Sequence, residues 1–163
     1  SQIVGIFLGG YFADRLGRKN LKWYAWLPGL ATFVSAPFFL ITFLTENEWL
    51  SLLSLIFPFT ISLMQGAPTF GVVQGVSDIS MRATAAALLL LLANLIGGTL
   101  GTQAVGLLSD LWQNDYGQDS LRYALLLVAS LSCLWASFHY VLAARTITTD
   151  IQVNVSQDAE STV

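Results

Sequence analysis

Four long apolar stretches, separated by short polar gaps, dominate the pattern of hydrophobic and polar positions along the chain. They cover residues 23–45, 50–75, 83–108 and 123–144. None of them contains Asp, Glu, Lys or Arg, and as an α-helix each would rise at least ~33 Å, enough to cross a hydrocarbon core of ~30 Å. Because a charge at the bilayer centre costs at least ~2.5 kcal/mol, this segregation predicts transmembrane helices.

The predicted fold class is therefore an all-α integral membrane protein. We place complete transmembrane helices at residues 23–45, 50–75, 83–108 and 122–144. Residues 1–12 are also apolar but would rise only ~18 Å as a helix, so we interpret them as the end of a truncated transmembrane helix. Residues 13–22 then form a polar loop, and the polar residues 145–163 are predicted to be a disordered tail.

Composition agrees with a lipid environment. The chain has 163 residues, of which 55% are hydrophobic and 10% charged, whereas soluble domains carry about 25% charge. Its mean hydropathy is +0.65. The net charge of −3 gives no reason to expect a nucleic-acid partner. Buried helices of a large soluble protein are the alternative interpretation of the same apolar stretches.

The gaps between the helices are alternately basic and acidic, which predicts their orientation. The first gap holds four of the seven cations, the third holds Arg82, and the second and fourth hold acids without a cation. Cytoplasmic loops carry the excess of Lys and Arg, so the first gap, the third gap and the C-terminus are expected in the cytoplasm. We expect a multi-pass protein of the plasma membrane, which in bacteria is the inner membrane, surrounded by membrane lipids.

The first gap contains the pattern G-x-x-x-D-R-x-G-R-K, which begins at Gly10. Placed between two membrane helices, this pattern resembles the signature loop of the major facilitator superfamily of secondary transporters. The resemblance implies a twelve-helix bundle, of which this chain is the C-terminal half from the eighth helix onward, with the missing N-terminal half as its partner. It implies a gating loop formed by the signature residues Gly10, Asp14, Arg15, Gly17, Arg18 and Lys19, and we add Arg82 to the gating residues on the argument that follows.

Asp14 can be argued from its own chemistry. A carboxylate at the end of a membrane helix can pair with the N-terminal amides of a neighbouring helix and with a cation. The helix at residues 83–108 begins on the same side of the membrane, directly after Arg82. We therefore expect Asp14 to dock there in one access state and to separate in the other. The alternative is that these charges only follow the positive-inside rule.

Several shorter strings resemble spinster-like transporters within the same superfamily. They are MRATAAA from residue 81, NLIGG from residue 94, VGLLSD from residue 105, DSLRYAL from residue 119 and QGAPT from residue 65. This narrower resemblance implies a small-molecule or lipid-like substrate, such as a lysolipid or an organic anion.

The superfamily resemblance also implies that residues 50–75 and 83–108 line the central cavity. Gln65 and Asn94 lie near the middle of these two helices, where polar side chains are costly and usually face a wet cavity or a neighbouring helix. They are our candidates for substrate contact, and hydrogen bonding between helices is the alternative. The glycines expected to pack helices closely are Gly71, Gly75, Gly97, Gly98 and Gly101.

Catalytic and metal-dependent functions find no support in the sequence. It has no pair of acids at mid-membrane, a single histidine, His139, and a single cysteine, Cys133. We expect no enzyme activity, no catalytic or metal-binding residue and no cofactor. The prediction is a transporter fragment that moves a small organic or amphipathic solute by alternating access. A non-transporting receptor or scaffold with the same fold is the main alternative, and a channel is a further one.

Overall fold

The computed structural model describes the backbone of residues 2–161 and the side chains of residues 5–151. Within the described part every regular element is a helix, which confirms the all-α part of the predicted class. Its α-helices are α1 (Gln2–Gly17), α2 (Trp23–Leu44), α3 (Glu48–Met64), α4 (Gly66–Gly75), α5 (Arg82–Leu92), α6 (Gly101–Tyr116) and α7 (Ser120–Ser161). A π-helical segment, Ala93–Leu100, joins α5 to α6, and short 3-10 turns occur at Ile79–Met81 and Gly117–Asp119.

Among the residues that the structure describes, three helical stretches are long and apolar enough to cross a membrane. They are Trp23–Leu44, Glu48–Gly75 and Ile79–Ile151. The third stretch changes direction at Gly117, whose φ of +55° lies in the region that favours glycine, and α7 then packs against α6. Each of these stretches is helical and uncharged over enough residues for a bilayer span.

α2 lies at the centre of the packed helices and contacts α1, α3, α4 and α7. It runs antiparallel to α7, because Arg122 at the start of α7 bonds the end of α2, while Ala144 and Ile147 pack on Ala25 near its beginning. A buried hydroxyl pair, Thr42 and Ser54 at 2.6 Å, joins α2 to α3. Polar contacts of this kind fix helices that an apolar solvent would not drive together.

α1 approaches α3 through its small residues. The buried positions Gly5, Gly9, Ala13 and Gly17 are spaced four residues apart and therefore share one face of the helix. A Cβ atom at Gly9 would overlap the backbone carbonyl of Met64, so only glycine allows this approach. Pro68 has no amide hydrogen to donate to that carbonyl, which frees it to face α1.

Two boundaries differ from the predicted ones. α1 extends to Gly17, so Asp14 and Arg15 lie on a helix and not in a loop. α7 extends well beyond residue 144, where a disordered tail is predicted, because Ile147 and Ile151 pack with Ala25 of α2 and prolong the helix. This segment is mostly polar, but it contains two apolar side chains, Ile147 and Ile151, that lie one helical turn apart.

The remaining helices form an exposed arm, which we define as residues 82–116. None of the residues of α5, the π-helical segment or α6 is buried, and every residue from Leu91 to Leu100 is exposed. The arm packs mainly against elements adjacent to it in sequence. We call α1–α4 together with α7 the packed block.

Candidate functional site

Asp14 lies in the last turn of α1 and is held by a residue of α2. Its Oδ1 accepts a hydrogen bond of 3.1 Å from the hydroxyl of Tyr24. The Tyr24 ring covers Gly17, where any Cβ atom would overlap the ring, and it also lies against Gly71 of α4 at 3.7 Å from the position of a Cβ. Tyr24 thus joins α1, α2 and α4 at the signature pattern, and the absence of a side chain at Gly17 makes room for it.

The basic residues of the pattern form an open cleft beside Asp14. Arg15 donates a hydrogen bond of 2.8 Å from Nη1 to the hydroxyl of Tyr11, one turn earlier. Tyr11, Asp14, Arg15 and Arg18 line a cleft of about 350 Å³. Lys19 is exposed, and no atom lies within 4 Å of a Cβ placed at Gly10.

Arg82 lies apart from this cluster in the described structure. Its Nε donates to the carbonyl of Ser77 at 3.4 Å, and within residues 5–151 no ion pair joins it to Asp14. The N-terminus of α5, which begins at Arg82, has no side-chain cap and no acid in its first turn. The amides at this end therefore have no side-chain acceptor, and the expected docking of Asp14 is not formed in this conformation.

Gln65 occupies the one-residue interruption between α3 and α4 and is half-buried. Its carbonyl accepts the hydroxyl of Thr69 at 2.7 Å, and that hydroxyl lies 2.7 Å from the hydroxyl of Tyr140 on α7. Since Thr69 donates to Gln65, Tyr140 donates to Thr69. These two hydrogen bonds connect the interruption between α3 and α4 to α7.

Asn94 lies in the π-helical segment of the arm and is exposed. Its Nδ2 donates to the carbonyl of Leu90 at 2.8 Å, within the same helical stretch. No hydrogen bond joins Asn94 to another helix or to Gln65 within the residues described. π-Helical turns occur frequently at functional sites, because the widened turn frees backbone groups.

The packing glycines divide into two groups. A Cβ at Gly71 would touch Tyr24, and one at Gly75 would lie 3.6 Å from the side chain of Ile151. At Gly97 and Gly98 a Cβ would meet nothing within 4 Å, and at Gly101 it would meet only the carbonyl of Ile96 in the adjoining segment. The first two therefore face neighbouring helices, and the other three lie on the arm.

Three structural contacts escaped the sequence reasoning. Arg122 donates from Nη2 to the carbonyl of Thr45 at 2.9 Å and from Nε to the carbonyl of Phe43, which caps the C-terminus of α2. Tyr140 bonds Thr69 of a helix distant in sequence, and Tyr24 reaches Asp14 across the crossing of α1 and α2, so no local pattern predicts either contact. The repeated spacing of Gly5, Gly9, Ala13 and Gly17, in contrast, is visible in the sequence and predicts a close-packing face.

Comparisons with known proteins give the family context of this geometry. No protein-family model matches the chain. Over 144 residues, or 88% of its length, the chain is 32% identical to a protein of Mycolicibacterium smegmatis (strain ATCC 700084 / mc(2)155) named MFS-type efflux pump. It is similar to a transporter. The chain spans 33% of that relative's length, so the match concerns about a third of the pump. The similarity and the long apolar helices together support a multi-pass membrane protein.

Proposed function

We propose that this chain is the C-terminal part of a twelve-helix transporter of the major facilitator superfamily. The observation that carries the proposal is its 32% identity to an MFS-type efflux pump along 88% of its own length. In this assignment α1 belongs to the eighth helix and α2 is the ninth, α3–α4 form the tenth, α5–α6 the eleventh, and α7 is the twelfth. The first gap and the C-terminus face the cytoplasm of the plasma membrane, in accordance with the cation distribution.

The proposed cargo is a small organic or amphipathic solute, such as a lysolipid or organic anion, as in the spinster-like subgroup. The arm supports such a cargo, because its exposed surface combines many leucines with uncharged polar groups such as Asn94 and Gln103. Gln65 and Asn94 are the proposed contacts to the solute. The name of the relative favours export as the direction of transport.

Transport of labelled solutes by the full-length protein in proteoliposomes tests this function. We expect movement of a labelled lysophospholipid in preference to a labelled hexuronate. Preference for the hexuronate would agree with the proposed transport function but contradict the proposed spinster-like cargo. Absence of transport for both, in protein that is folded and inserted, would favour a receptor or scaffold with the same fold.

The proposed mechanism is alternating access, in which Asp14 exchanges its partners. In the present conformation Asp14 accepts the hydroxyl of Tyr24, and the amides at the start of α5 lack a side-chain cap. In the other conformation the carboxylate leaves Tyr24 and docks at this helix end beside Arg82, where the helix dipole and the cation both favour an anion. The exchange would connect the packed block to the arm.

Substitution of Asp14 by Asn tests this exchange, because it removes the charge and keeps the shape. We expect turnover to fall by at least about tenfold while membrane insertion is unchanged, since one charge-assisted contact is worth about 1.5–3 kcal/mol. Tyr24→Phe removes only the partner seen here and leaves the Asp14 carboxylate free to dock. In a separate variant with Tyr24 intact, cysteines placed at positions 14 and 82 should crosslink in one access state. Unchanged turnover in Asp14→Asn, or no crosslink under any condition, would refute the exchange.

A further inference from the structure

The face of α1 opposite to its glycines carries a different chemistry. Phe7, Tyr11, Arg15 and Arg18 follow one another at spacings of three or four residues and therefore lie on one side of the helix. All of them are exposed, Phe7 to 74% and Tyr11 to 49%. The amide of Arg18 still bonds the carbonyl of Asp14 at 3.2 Å, so the helical spacing continues to this residue. We call this face the outer stripe.

The cations of the outer stripe have unused hydrogen-bonding capacity. Arg15 uses one donor for the hydroxyl of Tyr11, and the side chain of Arg18 makes no hydrogen bond or ion pair within the described residues. Asp14 also lines the cleft, but its Oδ1 accepts the hydroxyl of Tyr24 from the α2 side. Guanidinium groups that converge on one cleft are suited to phosphate oxygens, which they bind through paired donors.

The order of the side chains along the outer stripe matches the order of chemistry in a lipid leaflet. From Phe7 to Arg18 the helix rises about 16 Å, close to half of a hydrocarbon core of ~30 Å. The stripe begins with an apolar ring, continues with Tyr11, whose ring and hydroxyl suit the interface, and ends with two cations. Lys19 and Lys22 follow directly and make this the most basic part of the chain.

We propose that the cleft formed by Tyr11, Arg15 and Arg18 binds the phosphate of an anionic phospholipid of the cytoplasmic leaflet, whose acyl chain lies along Phe7. The inference rests on the orientation given in the proposed function. A cleft of about 350 Å³ accommodates a phosphate headgroup, and the apolar stripe below it continues in the direction that an acyl chain takes. Basic pockets on the cytoplasmic side of helical membrane proteins bind such headgroups.

Native mass spectrometry of the purified full-length protein measures this site through retained lipid, with phosphatidylglycerol and phosphatidylcholine as probes. The test variant combines Arg15→Gln with Arg18→Gln, and the matched control combines Lys19→Gln with Lys22→Gln. Both remove two cations from the same gap, but only the first pair lines the cleft. We expect preferential retention of phosphatidylglycerol that weakens about fivefold per arginine lost and by less than about threefold in the control.

Other occupants give different results. The proposal would be overturned if the arginine variant and the lysine control lost the same amount of retained phosphatidylglycerol. It would also be overturned if the unmodified protein showed no preference for phosphatidylglycerol. Displacement of the lipid by equimolar glycerol phosphate would show that the cleft takes a soluble phosphate instead. A photo-crosslinking residue at Tyr11 should form an adduct with lipid, and an adduct with another segment of the protein would overturn the proposal even if the arginine variants failed to fold.

Lipid retention is measured without any transport. Retained lipid in a protein that moves no solute would contradict the proposed function alone. Transport without selective retention would contradict this inference alone.

Discussion

The packed block and the arm have similarly apolar sequences but opposite relations to their surroundings. α2 buries small and polar residues against four other helices, including Ala25, Thr32 and Ser35, whereas no residue of the arm is buried. Apolarity therefore does not separate a helix that is packed within this chain from one that is not. In the packed block, small residues and hydroxyls lie at helix contacts, where they permit close approach and directional bonds. In the arm, a Cβ at the small residues Gly97 and Gly98 would meet nothing within 4 Å.

The largest expected effect comes from the closest helix contact of the packed block. Gly9→Ala places a Cβ on the backbone carbonyl of Met64, which cannot move aside as a side chain can. We expect the free energy of unfolding in detergent to fall by about 1–3 kcal/mol, the usual cost of overpacking. Gly10→Ala is the matched control, because a Cβ there meets nothing within 4 Å. Equal effects of both substitutions would refute the glycine contact.

A somewhat smaller effect is expected at the junction of α7 with α2. Arg122→Met removes the donors that cap the carbonyls of Phe43 and Thr45 and should lower the free energy of unfolding by about 2 kcal/mol. Asp119→Asn removes only the partly exposed ion pair with Arg122, at 3.7 Å, and should cost less than about 1 kcal/mol. Thermal unfolding of the two variants measures both losses of stability. A larger loss in Asp119→Asn than in Arg122→Met would contradict the capping of α2 by Arg122.

The hydroxyl contact between α4 and α7 predicts a further decrease. Tyr140→Phe removes the bond to Thr69 and keeps the ring, so we expect a loss of about 1 kcal/mol. Thr69→Val should cost a similar amount, and the double variant should cost less than the sum because both substitutions remove the same bond. Strict additivity in a thermal double-mutant cycle would show that the two hydroxyls do not stabilise each other.

The smallest effect on this chain is expected in the arm. Gly97→Ala meets open space and should change the stability of residues 1–163, expressed alone, by less than about 1 kcal/mol. If the proposed N-terminal half covers the arm, the same substitution in the full-length protein should reduce stability or transport. A large loss of stability in the isolated chain would mean that the arm is packed within it, which would contradict the contrast between the packed block and the arm.

The all-α fold class can be predicted from the sequence, because uncharged stretches of this length have few other stable conformations in lipid. It also points to Asp14 and Gly17, because their spacing is part of a local pattern. It cannot reveal Tyr24 as the partner of Asp14 or Tyr140 as the partner of Thr69, because these contacts depend on how helices cross. The extension of α7 past residue 144 is hidden for the same reason, since Ile147 and Ile151 gain their partners only from α2 and α4.

The carbonyl of Met64 has a mechanical consequence. In an unbroken helix, bending at one residue stretches the hydrogen bond that spans it, at a cost of about 1 kcal/mol if that bond is lost. Here Pro68 has no hydrogen to give, and the carbonyl rests on Gly9 of α1. Bending of α4 relative to α3 therefore breaks no hydrogen bond at this carbonyl. The stretch Glu48–Gly75 can bend beside Gln65, about two thirds of the way along its length.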